Sequence, residues 1–124
     1  MQDFKKLEAW QIAHHLRCKV YEVVATFPKE ECYGLRSQVT RAAGSVAANI
    51  AEGCGRNGDR EFARFLDIAM GSATELECHL LCAKDRGFAP AVPVDQFLAE
   101  LDRLQRVLAG LTRAIRAGLP QRNR

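Results

Sequence analysis

Four stretches of this chain repeat apolar residues at alternating spacings of four and three, and that repetition restricts the fold to helices packed side by side. The first runs Ala9, Ala13, Leu16, Val20, Val23 and Phe27; the second Val39, Ala43, Val46 and Ile50. The third, the cleanest, runs Phe62, Leu66, Ala69, Ala73, Leu76, Leu80 and Ala83; the fourth Phe97, Leu101, Leu104, Leu108, Leu111 and Ile115. This spacing keeps apolar side chains on one helix face, and its heptad form favours shallow crossing angles. No stretch alternates as a strand would. The stops agree: Pro28 after the first seam, Gly53 to Gly58 after the second, Gly87 and Pro90 after the third, Gly118 and Pro120 after the fourth. The expected helices run from about Phe4–Leu7 to Phe27, from Leu35 to about Gly53, from a cap at Asn57 or Asp59 to about Arg86, and from the neighbourhood of Pro93 to Gly118. Asp95 is expected in the first turn of the last helix, complementing its dipole. Residues Gln121 to Arg124 are expected to fray. Mostly short connections between four amphipathic helices predict an all-α, antiparallel up-down-up-down four-helix bundle, a single domain over 1–124.

The second helix is unusually thin. Gly44, Ala47, Ala48 and Ala51 put small residues around the seam, which lets neighbouring backbones approach closely. Ser45, Asn49 and Glu52 line one flank of it, and Ile68, Ser72, Glu75 and His79 form a flanking line on the third helix. Ser45, Asn49, Glu52 and Glu75 read as structural polar residues that fix register. Gly71-Ser72-Ala73 is the expected point of close approach to the second helix. Gly53-Cys54-Gly55-Arg56-Asn57-Gly58 spells G-x-G-x-x-G, but a dinucleotide fingerprint needs a strand before it and a βαβ unit around it. Here a helix precedes it, so the glycines read as a helix end and a turn.

Phe27-Pro28, Glu31, Tyr33-Gly34-Leu35, Gln38, Arg41-Ala42-Ala43, Ser45, Asn49-Ile50-Ala51-Glu52-Gly53 and Arg56 form one pattern, continued by Phe65-Leu66, Ala69, Gly71-Ser72-Ala73 and Glu75-Leu76. On these residues the chain resembles the bacterial four-helix-bundle proteins found in intervening sequences of 23S ribosomal RNA genes. It is also similar to the accessory variability determinant of diversity-generating retroelements. The resemblance is specific from about Phe4 to Gly87 and looser beyond. It implies a four-helix protomer in a ring-shaped homopentamer. For the retroelement relatives it also implies binding to nucleic acid and to a reverse transcriptase.

Composition narrows the setting. A chain of 124 residues with 48% apolar and 27% charged residues is ordinary for a globular protein. No apolar run reaches the roughly 18 to 20 residues that span a bilayer, and the N-terminus lacks the apolar core of a signal peptide. The expectation is a cytoplasmic protein without a membrane role. Its five cysteines, Cys18, Cys32, Cys54, Cys78 and Cys82, form no disulfide framework. Cys78 and Cys82 share a helix face with His79 alongside, but a structural zinc site needs a second ligand pair, and His14 and His15 point apart. No metal and no cofactor are expected. None of Ser45, Ser72, Glu52, Glu75 and His79 falls in a catalytic signature. A nuclease would want clustered carboxylates; Glu52 and Glu75 could supply two, but Asn49 and Arg64 could equally neutralise them. The reading is non-enzymatic.

The arginines carry the functional expectation. The net charge of +3 hides an acidic middle, with seven acids against two bases from Phe65 to Asp102, and a basic end with six arginines and no acid after Asp102. Arg103, Arg106, Arg113 and Arg116 fall within about a 140° sector of the fourth helix. Arg36, Arg41, Arg56, Arg60 and Arg64 gather around the second helix and the start of the third. Guanidinium forks grip phosphate oxygens in pairs, and the expected partner is RNA or DNA, with structured RNA preferred. The bland alternative is a solvated or salt-bridged surface. Arg41 and Arg56, inside the motif, suit structural pairing with Glu75 or Glu52. A second stripe on the first helix, Trp10, His14, Arg17 and Tyr21, lies about 90° from its seam. Trp10, Arg17 and Tyr21 are the candidate oligomer contact; otherwise Trp10 and Tyr21 widen the core.

Overall fold

The computed structural model describes residues 3–118. Four helices form: α1 over Glu8–Val24, α2 over Leu35–Cys54, α3 over Asp59–Asp85 and α4 over Ala91–Ala117. Short 3-10 helices over Phe4–Lys6 and Lys29–Glu31 precede α1 and α2. There is no strand among the described residues. Each helix packs along the next in sequence, and α4 closes back onto α1. The four seams meet in one continuous apolar cluster, with Leu16, Val20, Ile50, Leu66, Leu76, Leu80, Phe97, Leu101 and Leu108 almost wholly removed from water. No helix among the described residues is long and apolar enough to cross a membrane.

Four local expectations need correction. α1 ends at Val24 rather than Phe27. Thr26 donates its hydroxyl to the Val23 carbonyl at 2.8 Å, and the Phe27 amide reaches Val24 at 3.0 Å. Proline at 28 pushes the preceding residue out of helical geometry, so the last turn tightens and stops early. Phe27 stays in the core, its ring tilted against Phe88 with centroids 6.1 Å apart. Neither Asn57 nor Asp59 caps α3. Gly58 takes the cap position with φ +85°, and no side chain bonds there; Asp59 and Glu61 instead place negative charge in the first turn. α4 starts at Ala91, with Pro90 in the cap position. That places Pro93 third in the helix, where its missing N–H is no loss. Asp95 falls beyond the first turn and holds Lys84 at 2.7 Å. Finally, Gly71 is exposed and an added Cβ there would meet nothing within 4 Å. Ser72 of that segment does meet α2, its hydroxyl 2.9 Å from that of Ser45; a second close approach is at Gly53, where a Cβ would lie 2.6 Å from Cβ of Phe65.

The ends of α2 and α3 show how the chain turns. Glu31 accepts the Leu35 amide at 3.3 Å, so its carboxylate serves one of the free donors at the start of α2. At the end of α3, Gly87 has φ +71°. The Phe88 amide bonds back to Ala83 at 2.9 Å and that of Gly87 to Lys84 at 3.0 Å, a Schellman closure that requires the left-handed residue. The expectations for residues 119–124 lie outside the described residues.

Candidate functional site

The polar lines of α2 and α3 meet along their shared flank. The Ser45 and Ser72 hydroxyls touch at 2.9 Å, and Asn49 donates its amide to the Ser45 carbonyl and hydroxyl at 2.8 and 3.0 Å. At one end of this line Arg41 pairs with Glu75, which also meets His79 at 3.0 Å. The hydrogen bond to His79, and then that to Arg41, hold the Glu75 carboxyl below the usual carboxylate range. At the other end Arg56 pairs with Glu52 at 2.6 Å and Arg64 with Glu61 at 3.0 Å. Both guanidiniums lie over the Phe65 ring, 5.0 and 4.7 Å from its centroid. The Arg64 bond draws Glu61 down in the same way. Glu52 and Glu75 thus hold different arginines rather than each other. Asn49 is committed to Ser45; Arg64 bonds Glu61 and also feels the charge of Glu52, the weaker of the two influences on it.

The residues of the Phe27-to-Leu76 pattern therefore largely serve one another. Glu31 caps α2, Ser45 meets Ser72, Gly53 admits Phe65, and Arg41 and Arg56 hold Glu75 and Glu52. The signal for Gly53 was present in the sequence as the glycine that ends Asn49-Ile50-Ala51-Glu52-Gly53. It reads as a helix end there, because the chain alone does not show Phe65 lying across it.

The α4 arginines are spread across the exposed back of that helix. Arg103 reaches Glu8 at the start of α1, 2.8 Å away, while Arg116 reaches Asp67 on α3. Arg106 pairs with Asp102 one turn earlier at 3.2 Å. Arg36, Arg60 and Arg113 have no carboxylate partner among the described residues. Acids from other helices thus reach Arg103 and Arg116.

The second stripe of α1 divides. Trp10 is half-buried and packs against the core; its ring stacks on His14, centroids 4.7 Å apart and planes 11° apart, and Phe4 meets it edge-on at 4.9 Å. Arg17 extends toward α2, where a Cβ on Gly44 would lie 3.4 Å from the guanidinium. Tyr21 is 55% exposed. Cys18, Cys32, Cys78 and Cys82 are exposed and Cys54 is buried. Among the described residues no group of three or more His, Cys, Asp and Glu side chains is placed to hold a metal ion.

The 23S rRNA-intervening sequence protein family matches residues 5–110 of the chain. Arg113 and Arg116 lie beyond that match. Among solved structures, a protein of unknown function from the S23 ribosomal protein family of Bacteroides thetaiotaomicron superposes with a TM-score of 0.78 at 15% identity. The likeness covers 84% of this chain and 97% of that one, and at such identity it speaks for the fold alone. No curated protein matches the chain.

Proposed function

The chain belongs to the 23S rRNA-intervening sequence protein family, and on that premise we propose a non-enzymatic, oligomeric scaffold that binds nucleic acid through arginine-rich surfaces. The preferred ligand is structured RNA or an RNA–protein complex; a reverse transcriptase is a candidate protein partner, and the setting is cytoplasmic. The observation that carries this reading is the spread of guanidiniums on α4. Arg103 is anchored at the α1 edge and Arg116 at the α3 edge, with Arg106 and Arg113 also on the exposed surface. Four forks across one surface suit a phosphate backbone. The protomer is an antiparallel up-down-up-down bundle; in support, positions rising along α2 from Arg41 through Ser45 to Gly53 meet positions falling along α3 from Glu75 through Ser72 to Phe65. The assembly is a ring-shaped homopentamer, with Arg17 and Tyr21 of α1 at the contact. Trp10 is mostly occupied inside the protomer.

The test replaces Arg103, Arg106, Arg113 and Arg116 by Gln and measures RNA gel shifts across a salt series. The expected result is intact assembly and a flatter log–log salt slope, by about one unit for each phosphate no longer neutralised. An unchanged slope moves the assignment to Arg36, Arg41, Arg56, Arg60 and Arg64. Cleavage of labelled RNA that needs magnesium and stops with chelator would overturn the non-enzymatic reading. For the assembly, Tyr21→Asp is expected to lower the mass seen by light scattering while the helical circular-dichroism signal holds. A monomeric parent protein at micromolar concentration sinks the ring.

A second reading, a protein-interaction or structural scaffold with no nucleic-acid role, is favoured by one observation. Six of the nine candidate arginines, Arg41, Arg56, Arg64, Arg103, Arg106 and Arg116, already hold a carboxylate. Absence of any salt-sensitive shift in the parent protein selects it.

A further inference from the structure

A histidine and a cysteine meet where the spacing of Cys78 and Cys82 did not point. His14 and Cys18 are one helical turn apart on α1, both exposed, with Nε2 of His14 3.8 Å from Sγ of Cys18. A zinc ion bound tetrahedrally, at about 2.0–2.1 Å from nitrogen and about 2.3 Å from sulfur, sets those two atoms about 3.6 Å apart. The observed separation needs only a small adjustment. The imidazole is also oriented: its face is stacked on Trp10 with planes 11° apart, which leaves the ring edge, where Nε2 sits, turned to Cys18. Two ligands at i and i+4 on one helix face are a recurrent way to hold a metal. Neither atom has a carboxylate partner among the described residues.

We propose that His14 and Cys18 form a two-residue chelate for a divalent transition-metal cation of the zinc type, with water in the remaining positions. Imidazole nitrogen and thiolate sulfur select such ions over magnesium and calcium, which prefer oxygen. The thiol loses its proton on binding, as any cysteine ligand must. Arg17 and Lys19 are the positive charges that flank Cys18 in sequence. The Arg17 guanidinium is drawn toward Gly44 of α2, and the exposed setting screens what repulsion is left. The site is complete within one chain and does not depend on nucleic-acid binding.

The probe is Co²⁺ added to the reduced full-length protein under a non-thiol reductant, because Zn²⁺ has no spectrum of its own. Trp10 is the single tryptophan, and its stacking on His14 makes its fluorescence a local reporter. The expected result is quenching of Trp10 together with thiolate-to-cobalt absorbance, both saturating at one ion per chain and both reversed by Zn²⁺. Loss of an outer-shell partner alone weakens metal sites about 10- to 100-fold, so Cys18→Ser and His14→Gln are each expected to weaken the apparent affinity by at least about tenfold. Both positions are exposed, and an unchanged circular-dichroism spectrum confirms the variants fold. The Cys78→Ser, Cys82→Ser double variant is expected to bind as the parent does. The proposal is overturned if the parent shows no saturable quenching, if Cys18→Ser quenches like the parent, or if the absorbance vanishes only in the Cys78, Cys82 variant.

Discussion

α2 buries Val39, Ala42, Ala43, Val46, Ala47, Ile50 and Gly53, whereas α4 buries Val94, Phe97, Leu101, Leu104 and Leu108. Both pack on α3 and on α1, yet they meet α3 by opposite means. α2 comes close enough for two serine hydroxyls to touch and for a glycine to lie under Phe65. α4 fills its contacts with leucine and phenylalanine, and its polar links are made by long side chains: Arg103 to Glu8, Gln105 to Glu77, Arg116 to Asp67, and Asp95 to Lys84. Backbone proximity is set by side-chain volume, and it decides which polar groups can reach across. Short hydroxyls fix register at the thin seam, and long cations decorate the thick one.

On this contrast, α4 fails when atoms are removed and α2 fails when they are added. The largest effect is expected from Leu101→Ala, a loss of about 2–5 kcal/mol through reduced burial and a residual cavity, read from urea unfolding midpoints at constant m. A loss well below that range would mean the thick seam collapses around the gap. Next is Gly53→Ala. Its new methyl would press on Cβ of Phe65, an atom fixed to the α3 backbone, and the expected loss is about 1–3 kcal/mol. The control is Gly71→Ala on the exposed side of α3, where space is open and a gain of about 0.5–1 kcal/mol is expected from helix propensity. Equal effects at the two glycines would break the comparison.

Smaller still is the hydroxyl pair. Ser45→Ala is expected to cost about 1 kcal/mol, and a double-mutant cycle with Ser72→Ala should show that the two losses do not add. Strict additivity would mean the hydroxyls are independently solvated. The smallest and most conditional effect concerns Glu75. Its carboxyl is held below the usual range in the folded chain by His79 and Arg41, so its contribution is present above the unfolded carboxylate pKa. It is lost as pH falls through the folded value. The gap in stability between the parent and Glu75→Gln should therefore be open at neutral pH and close on acidification. A gap that persists in strong acid would assign it to packing instead. Partial exposure of Glu75 keeps the effect small.

The four helices were legible because their seams are periodic, and periodicity survives ignorance of everything else. Their ends were less so, since ends depend on single residues: Thr26 drawing on Val23, or Gly58 taking a conformation that displaced Asn57 and Asp59 from the cap. The pairing of Arg41 and Arg56 with acids could be read from the motif, because those residues fall on flanks of helices already located. Glu8 opposite Arg103 and Asp67 opposite Arg116 could not. They are 95 and 49 residues apart in sequence, and only the side-by-side placement of α1, α4 and α3 brings them together. His14 and Cys18 were within reach of a spacing argument, but a search for cysteine pairs leads to Cys78 and Cys82 first.

The carboxylates at the two edges of α4 have a consequence for any anion that arrives there. A guanidinium already held by Glu8 or Asp67 accepts a phosphate only by exchanging one anionic partner for another, and the displaced acid then stands beside the newcomer. For a single phosphate the exchange is close to an even trade, so isolated nucleotides or inorganic phosphate gain little. A polymer that presents several phosphates at once exchanges several partners while losing its freedom of movement only once. Under the proposed nucleic-acid role, the two arginines held in this way would discriminate by valence, answering long anions more than small ones without any contact to a base.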